Sequence, residues 1–389
     1  MYRDGAGSFP GNPVNLRVVY PNKRKYNKPM ENSNSNDRTA ISTLDGGSLK
    51  PITNFGVLGA GAWGTALAVI AAQPIAHRPK PGTNRSVVMW AHEAETVEAI
   101  NQDHENKTFL DGVRLPASIV ATTDLEKLAQ SDAILMVVPA QFARTVLAKI
   151  APLTPSTTPI ILCSKGIEQN SLKLMSDVAA EYFSAAQIAV LSGPSFAADV
   201  SRGLPTAVTL ACENDALATA ISTAIGQPFF RPYISDDIIG TEIGGAIKNV
   251  IAIACGIVDG KQLGQSARAA ITARGFSELG RLGQAMGGRM ETMSGLSGLG
   301  DLILTAGSRT SRNFSFGVAL GEGQSASDIF NARSSVSEGA MSAAAVASLA
   351  KKHNLELPIC EAVDQIINHG LPVNDAIDQL ISRPFTHEI

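Results

Sequence analysis

One short stretch constrains this chain more than any other. The apolar run at residues 54–58 leads without a spacer into Gly59-Ala60-Gly61-Ala62-Trp63-Gly64 and then Thr65-Ala66-Leu67-Ala68. A G-x-G-x-x-G pattern alone means little in a chain with 35 glycines, but here a strand precedes it and a helix follows. In that context Gly59 permits the tight turn, Gly61 lets a pyrophosphate approach the backbone, and Gly64 packs helix against strand. The helix N-terminus then faces the phosphates. The stretch predicts a dinucleotide-binding α/β unit.

The rest of the chain agrees with that start. At roughly 150 residues per domain, 389 residues imply two or three folding units. Apolar, β-branched runs at 54–58, 86–90, 133–138, 159–163, 188–191 and 206–210 alternate with helical stretches, which predicts a largely parallel sheet covered on both faces. That is a Rossmann-type, doubly wound α/β domain. After about Asp236 the strand signal stops, and segments 238–258, 267–286, 337–353 and 358–369 show helical spacing. The expected organisation is therefore an N-terminal extension at 1–50, a dinucleotide-binding domain at 51–236 and an all-helical substrate domain at 237–389. Ser235-Asp236-Asp237 reads as a helix start, with a capping residue followed by acids in the first turn. The three-proline stretch 73–85 reads as a surface insertion, and the Asn-rich, aperiodic residues 1–50 as disordered. Met30 lies inside that segment and is a candidate alternative start.

Composition narrows the partners. With 32 Lys+Arg against 35 Asp+Glu, the chain has no basic excess for nucleic acid or an acidic membrane, so a small-molecule substrate is expected. Cys163, Cys212, Cys255 and Cys360 are far apart and lack metal-ligand spacing, so no metal is expected and a reducing cytoplasm fits. The apolar run 250–258 is about half a bilayer span and no apolar leader opens the chain, so neither membrane anchor nor secretion signal is expected. The sequence leaves room for a homodimer.

Beyond the turn, four signals carry chemistry. The strand ending at Trp90 is followed by His92, not a carboxylate, where NAD enzymes grip the ribose 2′-hydroxyl, so a 2′-phosphate is not repelled and NADP, or NADP and NAD alike, is the expected cofactor, against which stands only Glu93 one residue away. Lys248 sits on an apolar helix among Gly244, Gly245, Ile251 and Ala252, where small neighbours leave a groove for a ligand, or where the lysine snorkels. A dehydrogenase needs such a group, because the alkoxide formed when hydride reaches a ketone takes up a proton. Desolvation or a second cation must bring the lysine pKa down towards neutrality, and Lys165, directly after a strand, is a candidate for that cation. Ser311-Arg312-Asn313 at a helix start suits a phosphate, or is a plain Ser cap, and the Ser192-Gly193-Pro194-Ser195 turn lines a polar pocket or simply turns. No nucleophile elbow, Walker loop or H-E-x-x-H occurs.

Together these segments resemble bacterial-type NAD(P)-dependent glycerol-3-phosphate dehydrogenase. The likeness runs through 59–68, Ser164-Lys165-Gly166-Ile167-Glu168, 191–197, 244–253, Gly298-Leu299-Gly300-Asp301-Leu302, Ser311-Arg312-Asn313 and Ser337-Glu338-Gly339, in that order. It implies reversible reduction of dihydroxyacetone phosphate to sn-glycerol 3-phosphate, a phospholipid precursor. By that resemblance Lys248 is the catalytic proton donor and acceptor. Substrate is held by Lys165, Gly193, Ser195, Lys248, Asp301, Ser311, Arg312 and Asn313. The nucleotide is held by Gly59, Gly61, Ala62, Trp63, Gly64, His92, Lys165, Ala197, Arg312, Val336 and Glu338. Ser337 stands where the family often has a bulkier residue. A hydroxyacid or phosphogluconate dehydrogenase of the same two-part build also uses a helix lysine but needs no Ser311-Arg312-Asn313 site. A non-catalytic NADP sensor would keep the glycine turn alone.

Overall fold

The computed structural model describes residues 51–74, 85–332 and 337–384. The expectations for residues 1–50, for most of the 73–85 insertion and for Val336 lie outside the described residues. These described residues belong to one compact unit. Its strands are β1 (Asn54–Leu58), β2 (Ser86–Trp90), β3 (Glu105–Asn106), β4 (Leu110–Arg114), β5 (Ile119–Thr122), β6 (Ala133–Met136), β7 (Ile160–Leu162), β8 (Ile188–Ser192), β9 (Thr206–Ala211) and β10 (Phe230–Ser235). Between and around them run α1 (Ala62–Ala72), α2 (Ala94–Asp103), α3 (Leu125–Ala129), α4 (Ala140–Ile150), α5 (Met175–Ala180), α6 (Ala197–Ser201) and α7 (Asp215–Ile225).

Eight strands form one sheet in the order β10-β9-β8-β7-β6-β1-β2-β5, while β3 and β4 make a separate hairpin. The chain winds outward from β1 to β5, then returns to the other side of β1 at β6, which puts the topological switch between β1 and β6. Buried strands alternate their faces: Ala133 and Leu135 of β6 join one apolar cluster with α1 and α7, whereas Ile134 and Met136 join another with α4 and α5. Six strands run parallel, and the last two reverse. The reversal has a local cause. Between β8 and β9 the chain has room only for the five-residue α6, so it folds back antiparallel, and the α7 crossover then lays β10 parallel to β9.

The helical part comprises α8 (Ile238–Gly260), α9 (Gln265–Ala285), α10 (Met290–Met293), a π-helical turn at Leu296–Gly300, α11 (Asp301–Ala306), α12 (Arg312–Gly321), α13 (Ala326–Ala332), α14 (Glu338–Lys352), α15 (Pro358–Asn368) and α16 (Val373–Ile381). At its centre α8 is long and apolar enough to cross a membrane, yet 89% of its most apolar window is buried inside the protein, so it is a core helix. Glycines bring α12 against its backbone: a Cβ on Gly256 would lie 2.0 Å from Phe314 O, and one on Gly317 2.0 Å from Ile253 O. Two local expectations need correction. The cap of α8 is Asp237, whose Oδ1 accepts Gly240 N–H at 2.8 Å, and no acid follows in the first turn. Ser235 is instead the last residue of β10, because the sheet continues further than the apolar runs indicate. Arg85, at the end of the presumed surface insertion, is buried, and its guanidinium donates to Ala71 O, Gln73 O and Ala224 O.

Candidate functional site

The glycine turn follows β1 at the sheet's switch point. Gly59 has φ +113°, and a Cβ there would press within 3.2 Å of the Val137 backbone beside β6. A Cβ on Gly64 would lie 1.9 Å from Gly59 O, so helix and turn touch backbone to backbone. Around Gly61 a Cβ would meet nothing within 4 Å. That open flank, with no side-chain cap on α1 and no acid in its first turn, leaves the first helical N–H groups available to an anion. The turn therefore fits a nucleotide pyrophosphate. Trp63, partly buried beside Ala62 and Ala197, packs on the sheet's core, and its Nε1 is buried with no hydrogen-bond partner among the described residues. His92 is exposed past the end of β2, its ring 6.2 Å from Trp90.

A second group of residues has α8 supplying Lys248 and the strand-end loop after β7 supplying Lys165. Lys248 does not snorkel. It is 6% exposed, and its Nζ donates to Thr305 Oγ1 at 2.8 Å and pairs with Asp301 Oδ1 at 3.1 Å. Lys165 Nζ donates to the other oxygen of Asp301 at 2.7 Å and to Gly193 O at 3.0 Å. Thr305 donates in turn to Asp301 Oδ1 at 3.3 Å, one helical turn along α11. Burial, helped by the Lys165 charge and opposed by Asp301, brings the Lys248 ammonium down to about 8. Burial alone would push the Asp301 carboxyl up, but the two ammonium groups together hold it below the usual carboxylate range.

The small residues around Lys248 serve the protein's own packing, which corrects the ligand-groove reading. A Cβ on Gly244 would lie 2.8 Å from Ser297 O in the π-helical turn, and one on Gly245 would lie 2.8 Å from Ser192 Oγ. These contacts seat Asp301 on one side of α8 and the Ser192-Gly193-Pro194-Ser195 turn on the other. Gly193 has φ +152°, with Val208 Cα where a Cβ would go, and its carbonyl accepts from Ser195 Oγ at 3.0 Å as well as from Lys165.

Ser311 caps α12, its Oγ accepting Phe314 N–H at 3.2 Å, so the plain capping role is real. Arg312 is exposed on the first turn. Asn313 is buried, its Oδ1 accepting from Ser337 Oγ at 2.7 Å and Gly339 N at 3.0 Å, and its Nδ2 donating to Asn249 Oδ1 at 2.8 Å. This network ties α12 to α8 and to the start of α14, where Glu338 lies half-buried. Burial pushes the Glu338 carboxyl up while Arg312, Lys165 and Lys248 pull it down. Sequence reasoning assigned no role to Thr305 or Asn249. The signals were Thr305's helical spacing from Asp301 and Asn249's place beside Lys248.

Comparison with known proteins bears on this arrangement. The family pattern for the NAD-dependent glycerol-3-phosphate dehydrogenase N-terminus matches residues 54–218, and that for the C-terminus matches 237–378. Glycerol-3-phosphate dehydrogenase [NAD(P)+] of Parvibaculum lavamentivorans is 56% identical over 332 residues, 85% of this chain and 97% of that protein. Its Caulobacter vibrioides counterpart is 54% identical over 333 residues, 86% and 98% of the two chains. Among solved structures, glycerol-3-phosphate dehydrogenase from Coxiella burnetii superimposes with a TM-score of 0.79 at 36% identity, covering 85% of this chain and 99% of that one. With both patterns matched in order and relatives at this identity over nearly their full length, the chain belongs to the NAD-dependent glycerol-3-phosphate dehydrogenase family.

Proposed function

We propose that the chain catalyses the reversible reduction of dihydroxyacetone phosphate to sn-glycerol 3-phosphate with NADH or NADPH. The observation that carries this reading is the pair of lysines on one buried carboxylate, Asp301, near the carboxyl ends of the strands. When bound at Gly59, Gly61, Ala62 and Gly64, a reduced nicotinamide cofactor supplies the hydride. Lys248 Nζ gives its proton to the carbonyl oxygen of the substrate and takes it back in the reverse direction. Its lowered pKa, about 8, lets it do both near neutral pH. Asp301 keeps the two ammonium groups together, and Thr305 fixes the direction of Lys248 Nζ. Lys165, Gly193 and Ser195 flank the substrate, while the Ser311-Arg312-Asn313 helix start takes its phosphate. Arg312 serves both ligands, one guanidinium bridging two anions, while Glu338, with His92, Trp63 and Ala197, belongs to the nucleotide side.

Both cofactors stay open because His92 and Glu93, at the end of β2, are exposed. The boundary we assign between nucleotide and substrate domains is 236, after the last strand and before α8. Four buried, free cysteines support placement in the reducing cytoplasm. The test is to follow nicotinamide absorbance with dihydroxyacetone phosphate and identify the product. Turnover to sn-glycerol 3-phosphate is expected; turnover only with a 2-oxo acid, or with no ketone at all, would overturn the reading.

A further inference from the structure

We propose that Asn106 is a positioning residue for the phosphate-binding turn, acting through the carbonyl of Ala60 and the hydroxyl of Thr65. This rests on the reading of residues 59–64 as the cofactor turn. Asn106 belongs to the β3–β4 hairpin, outside the main sheet and 46 positions along the chain from Ala60, and is 1% exposed. Its Nδ2 donates to Ala60 O at 2.7 Å and to Thr65 Oγ1 at 2.8 Å, which uses both amide hydrogens. Thr65 Oγ1, having accepted from Asn106, donates to Gly61 O at 3.0 Å, and the same carbonyl accepts Thr65 N–H at 2.9 Å.

The carbonyls of Ala60 and Gly61 are therefore both held from the protein side. All peptide bonds among the described residues are trans, and in a trans peptide the N–H points away from the C=O. Anchoring Ala60 O and Gly61 O thus turns the N–H groups of Gly61 and Ala62 away from Asn106 and Thr65. The flank beside Gly61 is open, so the turn meets an arriving anion with its donors already aimed. A buried amide with every hydrogen spent on one turn and the opening of its helix is a device for fixing that turn, since a general packing role would be served by an apolar side chain.

The experiment is calorimetric titration of the full-length chain with NADH and with NADPH, for wild type, Asn106→Leu, Thr65→Val and Thr65→Ser. Asn106→Leu should weaken both cofactors by about tenfold and Thr65→Val by about threefold, because the pyrophosphate is common to both. Thr65→Ser, which keeps the hydroxyl, should stay within about twofold of wild type. KM for dihydroxyacetone phosphate at saturating cofactor should not move. Wild-type affinity in Asn106→Leu, or equal losses in Thr65→Val and Thr65→Ser, would overturn the inference. If Asn106→Leu does not fold, the two Thr65 variants decide it. Failure of the wild-type chain to bind either cofactor would instead sink the reading of the turn on which the inference depends.

Discussion

Asp301 Oδ1 lies 3.1 Å from Lys248 Nζ in a part of the protein almost closed to water, and its other oxygen is taken by Lys165. One negative charge thus stands against two positive ones. The three groups carry a net positive charge, and burial, helped by the Lys165 charge, brings Lys248 down to about 8.

Asp301→Asn removes the charge that holds protons on Lys248. The Lys248 pKa should fall further below about 8, since burial and Lys165 are then opposed only by the weaker pull of Glu338. Ketone reduction needs the protonated lysine, so the alkaline limb of its pH–rate profile should move to lower pH, with a loss of about tenfold at neutral pH. An unmoved limb would show that Asp301 does not tune Lys248.

Arg312→Ala tests the phosphate. A charge-assisted contact is worth about 1.5–3 kcal/mol, so KM for dihydroxyacetone phosphate should rise about tenfold to a hundredfold at saturating cofactor. Turnover of unphosphorylated dihydroxyacetone, expected to be slow because it lacks the phosphate, should be unaffected by the substitution. Equal losses with both ketones would place Arg312 elsewhere.

Gly61→Ala and Gly64→Ala should separate binding from stability. The first places a methyl in open space and should leave the melting temperature within a few degrees while weakening cofactor binding. The second drives a methyl into Gly59 O and should destabilise the fold by about 1–3 kcal/mol. Thermal melts and cofactor titrations on both variants check the pair.

Glu242 governs a pH-dependent contact between α5 and the Lys248 helix. Its carboxylate accepts Ser176 N–H at 2.9 Å and Ser176 Oγ at 2.5 Å, and burial pushes its pKa up to about 7. The folded state therefore binds more protons than the unfolded chain between about 4.5 and 7. Its stabilising contribution is full below the unfolded value and lost as pH rises through 7, on the order of 3 kcal/mol. Glu242→Gln keeps the shape and should flatten that part of the stability curve measured by denaturant unfolding. An unchanged slope would contradict it.

Much of this was written locally. β1 and its glycine turn, the β2 strand and α8 are legible because a single contiguous pattern specifies each. β10 is not, because Arg231 and Pro232 interrupt an edge strand whose Tyr233 and Ile234 face solvent, so the apolar signal that marks a buried strand is missing. The β3–β4 hairpin sits in a polar stretch with no hydrophobic period. Within the site, the two lysines announce themselves by their apolar or strand-end settings, but the distance from Lys248 to Asp301 depends on a π-helical turn packing on Gly244, which no local spacing encodes. Asp301 was reached only through family resemblance. Thr305 follows an apolar run, Leu302-Ile303-Leu304, that reads as core, and the bonds of Asn106 span a distance in sequence over which local patterns carry nothing.

The most direct test of the account is single-turnover and steady-state reduction of dihydroxyacetone phosphate by Lys248→Ala, with cofactor affinity measured by titration on the same preparation. Loss of the positioned proton donor should slow turnover by about a thousandfold while cofactor affinity stays within about twofold of wild type. Turnover at wild-type rate in that variant would remove Lys248 from the chemistry and, with it, the role assigned to Asp301.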